Sequence, residues 1–386
     1  MTIFAGNLKH GLLTAPGGHE EVRGQSPLPQ AIPDVRAACG GDEGTGASRS
    51  GLAQASTSML LPHGGRLREA ARRYGIPLGD WLDLSTGINP RGWPVPALPP
   101  EVWLRLPEDD DGLEQAARGH FGCDSLLPVA GSQAAIQSLP LLRPSCRVGI
   151  LSPGYAEHAQ AWRRSGHAVI PLAPEAIEST LDDLDVLLLL NPNNPSGHAF
   201  DPAVLLDWHA RLASRGGWLV VDEAFSDATP RLSLAHHCPR PGLVVLRSLG
   251  KFFGLAGVRV GFVLAEPSLL EALRERLGPW ALAHPSRHVA RLALEDVAWQ
   301  TETRARLAQD SARLASLLAA HGLAPHGGSA LFQWVRTPDA ARIHEVLARR
   351  GILTRQFHEP PSLRFGLPAN ETEWQRLARA LDEVMA

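Results

Sequence analysis

Apolar residues along this chain fall into two alternating patterns from about residue 112 onward. Compact apolar runs at Arg147–Leu151, Val169–Leu172, Val186–Leu190, Trp218–Val221, Leu243–Leu246 and Val258–Leu264 read as strands, the most continuous of them buried on both faces. Between them, Gly112–Phe121, Gly131–Leu142, His158–Ser165 and Pro202–Ser214 read as helices. Upstream, Arg66–Tyr74 predicts a short helix stopped by Gly75 and Pro77, and residues 80–100, rich in Pro and Gly, predict an extended crossing segment. Strand–helix alternation with continuous apolar strands predicts an α/β fold with a doubly wound, mostly parallel sheet. From about Ser268 long Leu/Ala/Arg helices take over, followed by short strands at Leu331–Val335, Ile352–Thr354 and Ser362–Phe365. That change predicts a smaller α+β domain at the C-terminus.

The expected organisation is an N-terminal arm over 59–85, a large domain over 86–267 and a small domain over 268–386. Residues 1–58 differ in kind. They are rich in Gly, Ser, Ala and Pro and lack periodicity. Such a composition buries too little apolar area to offset the entropy of ordering, so a disordered extension is expected. No apolar stretch follows a basic start, so the segment does not read as a signal peptide.

The 386 residues are 44% hydrophobic, enough for a large core. A net charge of −3 and a pI near 6.6 provide no basic excess to draw phosphates, so neither nucleic acid nor a membrane surface is an expected partner. The longest apolar run, Val186–Leu190, is far too short to span a bilayer. Cys39, Cys123, Cys146 and Cys238 are scattered without metal-ligand spacing, which suits thiols in a reducing cytoplasm and predicts no bound metal.

Candidate chemistry begins with what is scarce. Of 37 basic residues only Lys9 and Lys251 are lysine. A guanidinium stays protonated at ordinary pH, whereas a desolvated lysine is a nucleophilic amine. Lys251 closes Ser248-Leu-Gly-Lys251, just beyond a predicted strand, and other short motifs sit at successive strand ends, where open α/β sheets bind ligands. Asn191-Pro-Asn-Asn-Pro-Ser-Gly197 follows Val186–Leu190, Asp222-Glu-Ala-Phe225 follows the next strand, and Arg259 lies eight residues after the lysine. Gly131-Ser-Gln133 opens a helix, whose N–H groups suit a phosphate. A lysine, a buried acid, an Asn, a helix start and an Arg are together what pyridoxal phosphate requires. The amine joins the aldehyde and the acid keeps the pyridine nitrogen protonated. The Asn donates to the phenolic oxygen, and the Arg neutralises the phosphate. Tyr155, one of 2 tyrosines, is placed to stack on the ring.

On these motifs the chain, from about 60 to 385, resembles the fold-type I pyridoxal-phosphate enzymes of the class I/II aminotransferase family. Within it, His63-Gly-Gly65, Leu82-Asp-Leu-Ser-Thr-Gly-Ile-Asn-Pro90, Asp222–Phe225, Ile352–Arg355 and Ser362–Phe365 are similar to the L-threonine-O-3-phosphate decarboxylase branch of cobalamin biosynthesis. The resemblance implies that Lys251 carries the cofactor, Asp222 faces the pyridine nitrogen and Asn194 faces the phenolic oxygen. It places Ser132, Gln133, Ser248 and Arg259 around the phosphate, with Gly131 allowing close approach. It also implies that Arg364 binds an acidic group of the substrate, and that His63, Gly64, Asn89, Asn194 and Arg355 line the substrate site. A homodimer is implied as well. Two arginines and a histidine suit a substrate that carries both carboxylate and phosphate.

The chain departs from the family pattern in two places. Phe225 stands where many aminotransferases have a Tyr that bonds the phenolic oxygen. Leu104–Asp110 occupies the region where relatives carry a Tyr that reaches the partner subunit's cofactor phosphate. His158, three residues beyond Tyr155, is a candidate to back up Asp222. Two reactions share this machinery: decarboxylation of threonine phosphate, which breaks the bond from Cα to the carboxylate, and transamination of a phosphorylated substrate, as in histidinol-phosphate aminotransferase, which breaks Cα–H. Residues 1–58 have no helical periodicity or basic patch, against a DNA-binding regulator.

Overall fold

The structure, a computed structural model, describes residues 63–385. The extension read over 1–58 and the first residues of the arm lie outside the described residues. The strands are β1 (Leu82–Asp83), β2 (Leu126–Val129), β3 (Arg147–Leu151), β4 (Ala168–Leu172), β5 (Val186–Leu190), β6 (Trp218–Asp222), β7 (Leu243–Ser248), β8 (Gly261–Leu264), β9 (Gly327–Ser329), β10 (Phe332–Arg336), β11 (Ile352–Leu353), β12 (Arg355–Phe357) and β13 (Ser362–Gly366). The helices are α1 (Leu67–Tyr74), α2 (Glu101–Leu104), α3 (Leu113–Phe121), α4 (Ser132–Ser138), α5 (Ala156–Arg164), α6 (Ile177–Thr180), α7 (Pro202–Ala213), α8 (Pro267–Leu277), α9 (His284–Glu295), α10 (Val297–Ala320), α11 (Ala340–Arg349) and α12 (Glu371–Met385).

Seven strands form the main sheet in the order β2-β8-β7-β6-β5-β3-β4. All its pairings are parallel except those of β8, which runs antiparallel to both neighbours. The mostly parallel α/β architecture read from the apolar runs is therefore the one observed. Burial on both faces explains the composition of the central strands. Leu187, Leu189, Val221 and Val245 enter one hydrophobic cluster, while Val186, Leu188, Val220 and Val244, one residue out of phase, enter the other. Each such side chain removed from water contributes about 1.5–3 kcal/mol.

β12-β13-β10-β9 form an antiparallel sheet, and β1 pairs in parallel with β11. The segment after β1 is stitched further, with Leu84 N–H donating to Leu353 O at 2.8 Å and Gly366 N–H to Leu84 O at 2.7 Å. This carries the N-terminal segment across to the strands that bear Arg355 and Arg364. Helices α8 and α9 pack on α4 and α3 respectively, and α10 reaches β10.

Some elements differ from the expectations. β2 contains Pro128, which argues against a strand, yet β2 is the sheet edge, where a missing N–H is tolerated. The helix expected over Gly131–Leu142 is α-helical to Ser138 and finishes as a 3-10 turn at Leu139–Leu142, because Pro140 cannot donate. The strand expected from Val258 begins at Gly261, because Arg259 takes a left-handed φ of 58°. Among the described residues no helix is long and apolar enough to cross a membrane.

Candidate active site

Register brings the strand-end motifs to one edge. Leu190, Asp222 and Leu246 are level on β5, β6 and β7, and Gly261 on β8 is level with Ser248 on one side and Val129 on the other. The loops after these residues therefore converge. A Cβ on Gly261 would lie 2.5 Å from the Ser132 nitrogen, so only glycine lets β8 pass under the start of α4. Gly131 has φ of 72°, and a Cβ there would meet Arg259 Nη2 at 2.7 Å. The arginine's guanidinium is thus brought against the first turn of α4, close to Ser132 and Ser248. The result is a cradle of cation, hydroxyls and helix N–H groups that suits a phosphate.

Two adjoining cavities share His63, Tyr155, Asn194 and Lys251. The inner one is lined by the cradle, Asp222 and Phe225. Asp222 is buried, and both carboxylate oxygens are used: Oδ1 accepts from Ala224 N–H at 3.0 Å, and Oδ2 pairs with His158 Nε2 at 2.9 Å. Beside it, Glu223 is buried against Arg247 at 2.5 Å, an ion pair that anchors the end of β6 and that no motif announced. Tyr155 N-caps α5, and its phenol is pushed up to about 12 by burial, then by Glu157 and Asp222, so it stays protonated. The Lys251 amine lies 5.5 Å from the Phe225 ring centroid. Burial, then Arg364, bring its pKa down to about 8, against the opposing pull of Asp222.

The outer cavity is lined by Gly64, Ser85, Thr86, Ile88, Arg355 and Arg364 among others. Antiparallel pairing of β12 with β13 sets Arg355 opposite Arg364. Arg364 is buried, donates Nη2–H to Ser85 O at 2.6 Å and Nη1–H to Asn194 Oδ1, and lies 5.0 Å from the Phe332 ring centroid. Its Nε is buried without a partner. Burial, then Arg355, lower its pKa to about 9, and Arg355 is lowered by burial and then by Arg66. Two guanidiniums so disfavoured are stabilised by any anion placed between them. Gly64 permits this wall to form, since a Cβ there would lie 2.3 Å from the same Ser85 oxygen.

The structure brings the expected site residues to this cleft with one exception. Asn89 is buried away from the cavity wall, and its side chain is spent on the backbone. Nδ2 donates to Phe252 O at 2.9 Å, Oδ1 accepts from Arg91 N–H at 3.0 Å, and its own N–H donates to Lys251 O at 3.0 Å. Asn89, expected to contact substrate, here braces the lysine loop, while Thr86 and Ile88 line the cleft. Residues 104–110 leave Leu104 and Leu106 exposed, and Arg287 holds the adjoining turn through Asp111 (2.7 Å) and Glu114 (2.7 Å). Ser85, Thr86 and Ile88 lie in the Leu82–Pro90 motif without an expected role of their own, and Glu157 was not among the expected site residues.

These groups fit pyridoxal phosphate: a lone partly buried amine, a buried hydrogen-bonded carboxylate, and a Cβ-free cradle holding an arginine. Lys251 also sets a pH dependence. Only the neutral amine attacks an aldehyde, so uptake of the cofactor by apoprotein should accelerate about tenfold between about pH 7 and pH 9 and then level off. Stopped-flow absorbance checks this; acceleration continuing past about pH 10, as for an ordinary lysine, contradicts it.

Residues 111–381 match the model of the aminotransferase class I and II family. Over 322 residues the chain is 61% identical to threonine-phosphate decarboxylase of Pseudomonas aeruginosa, covering 83% of this chain and 97% of that protein. It is 43% identical to threonine-phosphate decarboxylase of Sinorhizobium sp, with 84% and 98% covered. Among solved structures, histidinol-phosphate aminotransferase from Sinorhizobium meliloti in complex with pyridoxal-5'-phosphate superposes with a TM-score of 0.70 at 21% identity, covering 88% of this chain and 99% of that one. Fold, strand-end motifs and the sequence match agree: the chain belongs to the class I and II aminotransferase family.

Proposed function

We propose that this protein uses pyridoxal 5'-phosphate to decarboxylate L-threonine O-3-phosphate, giving (R)-1-amino-2-propanol O-2-phosphate and carbon dioxide for cobalamin biosynthesis. The observation that carries the reading is the pair of half-buried and buried guanidiniums, Arg355 and Arg364, opposite one another in the β12–β13 ladder and lining one cavity with His63 and Lys251. Such a wall suits a substrate with two anionic groups. The identity with threonine-phosphate decarboxylases supports the same substrate.

Bound in the inner cavity, the cofactor supplies an aldehyde for the amine and an electron sink for the pair left at Cα. In this reading Lys251 holds it and afterwards returns a proton to Cα. Asp222, braced by His158, keeps the ring nitrogen protonated. Asn194 donates to the phenolic oxygen, Tyr155 stacks on the ring, and Gly131, Ser132, Gln133, Ser248 and Arg259 enclose the phosphate. Arg355, Arg364 and His63 hold the carboxylate and phosphate of the substrate. By fixing both ends they would set which bond at Cα is presented for cleavage. The same reading makes the protein a cytoplasmic homodimer. Trp103, Leu104 and Leu106 are 62–83% exposed, an apolar strip that a second copy would cover, and Cys123, Cys146 and Cys238 are free thiols.

The purified protein loaded with cofactor should release carbon dioxide from threonine phosphate with no keto-acid acceptor, and do so at least about a hundredfold faster than from threonine, because the lost phosphate leaves charged partners unpaired. Turnover only in the presence of 2-oxoglutarate would favour an aminotransferase instead.

A further inference from the structure

Glu157 has no part in the roles assigned above, yet it joins three pieces of the site. Its carboxylate, with the side chain 13% exposed, accepts from His63 Nε2 at 2.6 Å, from Gln133 Nε2 at 2.9 Å and from Gln137 Nε2 at 3.3 Å. His63 belongs to the segment before α1, whereas Gln133 and Gln137 lie one turn apart on α4, the helix that opens the phosphate cradle. Glu157 itself lies in the first turn of α5, where the helix dipole favours an anion.

An ionised carboxylate only accepts, so the bond to His63 fixes the hydrogen on Nε2 and the orientation of the ring. That ring also lies 5.9 Å from Tyr155, tilted by 48°. On its other side the chain is pinned by Gly64, packed under Ser85 O, and by Gly65 N–H donating to Ser85 Oγ at 2.8 Å. His63 is therefore held at the wall common to both cavities, and Glu157 ties it to the first turn of α5. A bare carboxylate here would repel a phosphorylated substrate; a ring that donates Nε2–H to Glu157 and Nδ1–H to the phosphate, with a hydrogen on each nitrogen, sets a cation between the two anions instead.

We propose that Glu157 is a positioning residue: it latches the N-terminal segment across the cleft through His63 and holds that ring where the substrate's phosphate binds. The choice of ligand rests on the proposed decarboxylation; the latch does not.

The test uses holoenzyme of the full chain. Glu157→Ala should raise KM for threonine phosphate about ten- to a hundredfold, the scale of a lost hydrogen bond to a charged group, while kcat stays within about threefold and the visible cofactor band is kept. Glu157→Gln, which still accepts but carries no charge, should recover part of that KM. Trypsin should cut after Arg66 or Arg68 about tenfold faster in Glu157→Ala and in His63→Ala than in the parent, and no faster in the double variant, as expected for two ends of one contact. Unchanged KM and unchanged cleavage in Glu157→Ala overturn the proposal, as do additive effects in the double variant. Loss of the cofactor band also overturns it, assigning Glu157 to the cradle through Gln133. If the parent enzyme does not turn over threonine phosphate, the reaction assignment fails while the proteolysis still decides the latch.

Discussion

Lys251→Ala is expected to abolish the visible absorption of the cofactor-loaded protein and to lower kcat by at least about 10³-fold, combining loss of covalent attachment with loss of proton transfer at Cα. No neighbouring cation can substitute. Arg259 and Arg364 line the same cleft, but a guanidinium does not deprotonate to become a nucleophile, even where burial lowers the pKa of Arg364 to about 9. The fold should survive, because truncating a side chain whose charge is disfavoured by burial removes a desolvated group as well as some contacts. Absorbance spectra and borohydride trapping check the prediction. Reduction should fix the cofactor to the peptide containing Lys251 in the parent and to no peptide in the variant. A variant that keeps its band contradicts the assignment.

Asp222→Asn is expected to lower kcat by about 10²–10³-fold with the cofactor still bound, the usual cost of removing one preorganised charge from a dry site. The substitution is nearly isosteric. The amide oxygen can still accept from Ala224 N–H, now 3.0 Å from Oδ1, while Nδ2 in the place of Oδ2 donates to His158 Nε2 once that nitrogen has given up its hydrogen. What disappears is the negative charge that holds a proton on the ring nitrogen, and with it the ring's capacity to withdraw electrons. Single-turnover kinetics at saturating substrate separate this from a binding defect. A kcat within about threefold of the parent would mean that Asp222 has no electronic role.

The expectations that held were those written in local chemistry. β5, with all five residues buried, is a continuous Val-Leu run because helices cover both its faces, and β6 and β7 follow the same logic. Parallel strands point their C-terminal ends the same way, so motifs at successive strand ends had to converge, and they do. β2 was illegible because edge position, which excuses Pro128, is a property of the sheet. The pairing of Arg355 with Arg364 depends on the β12–β13 register, which neither strand reveals alone. The bracing role of Asn89 was not legible, because a polar residue in a loop motif looks the same whether it meets a ligand or the backbone of a neighbouring loop. Glu157 gains its place from a partner 94 residues away, and the signal for it was its position between Tyr155 and His158.

The central claim is that this site breaks the bond between Cα and the carboxylate. Holoenzyme should be incubated in deuterium oxide with threonine phosphate carrying an isotopic label in its carboxyl group, without any keto acid. The account predicts that the label leaves quantitatively as carbon dioxide, and that the amine product carries one new deuterium on the carbon that bore the carboxylate. Label retained in a phosphorylated keto acid, with the cofactor left in its amine form, would contradict it.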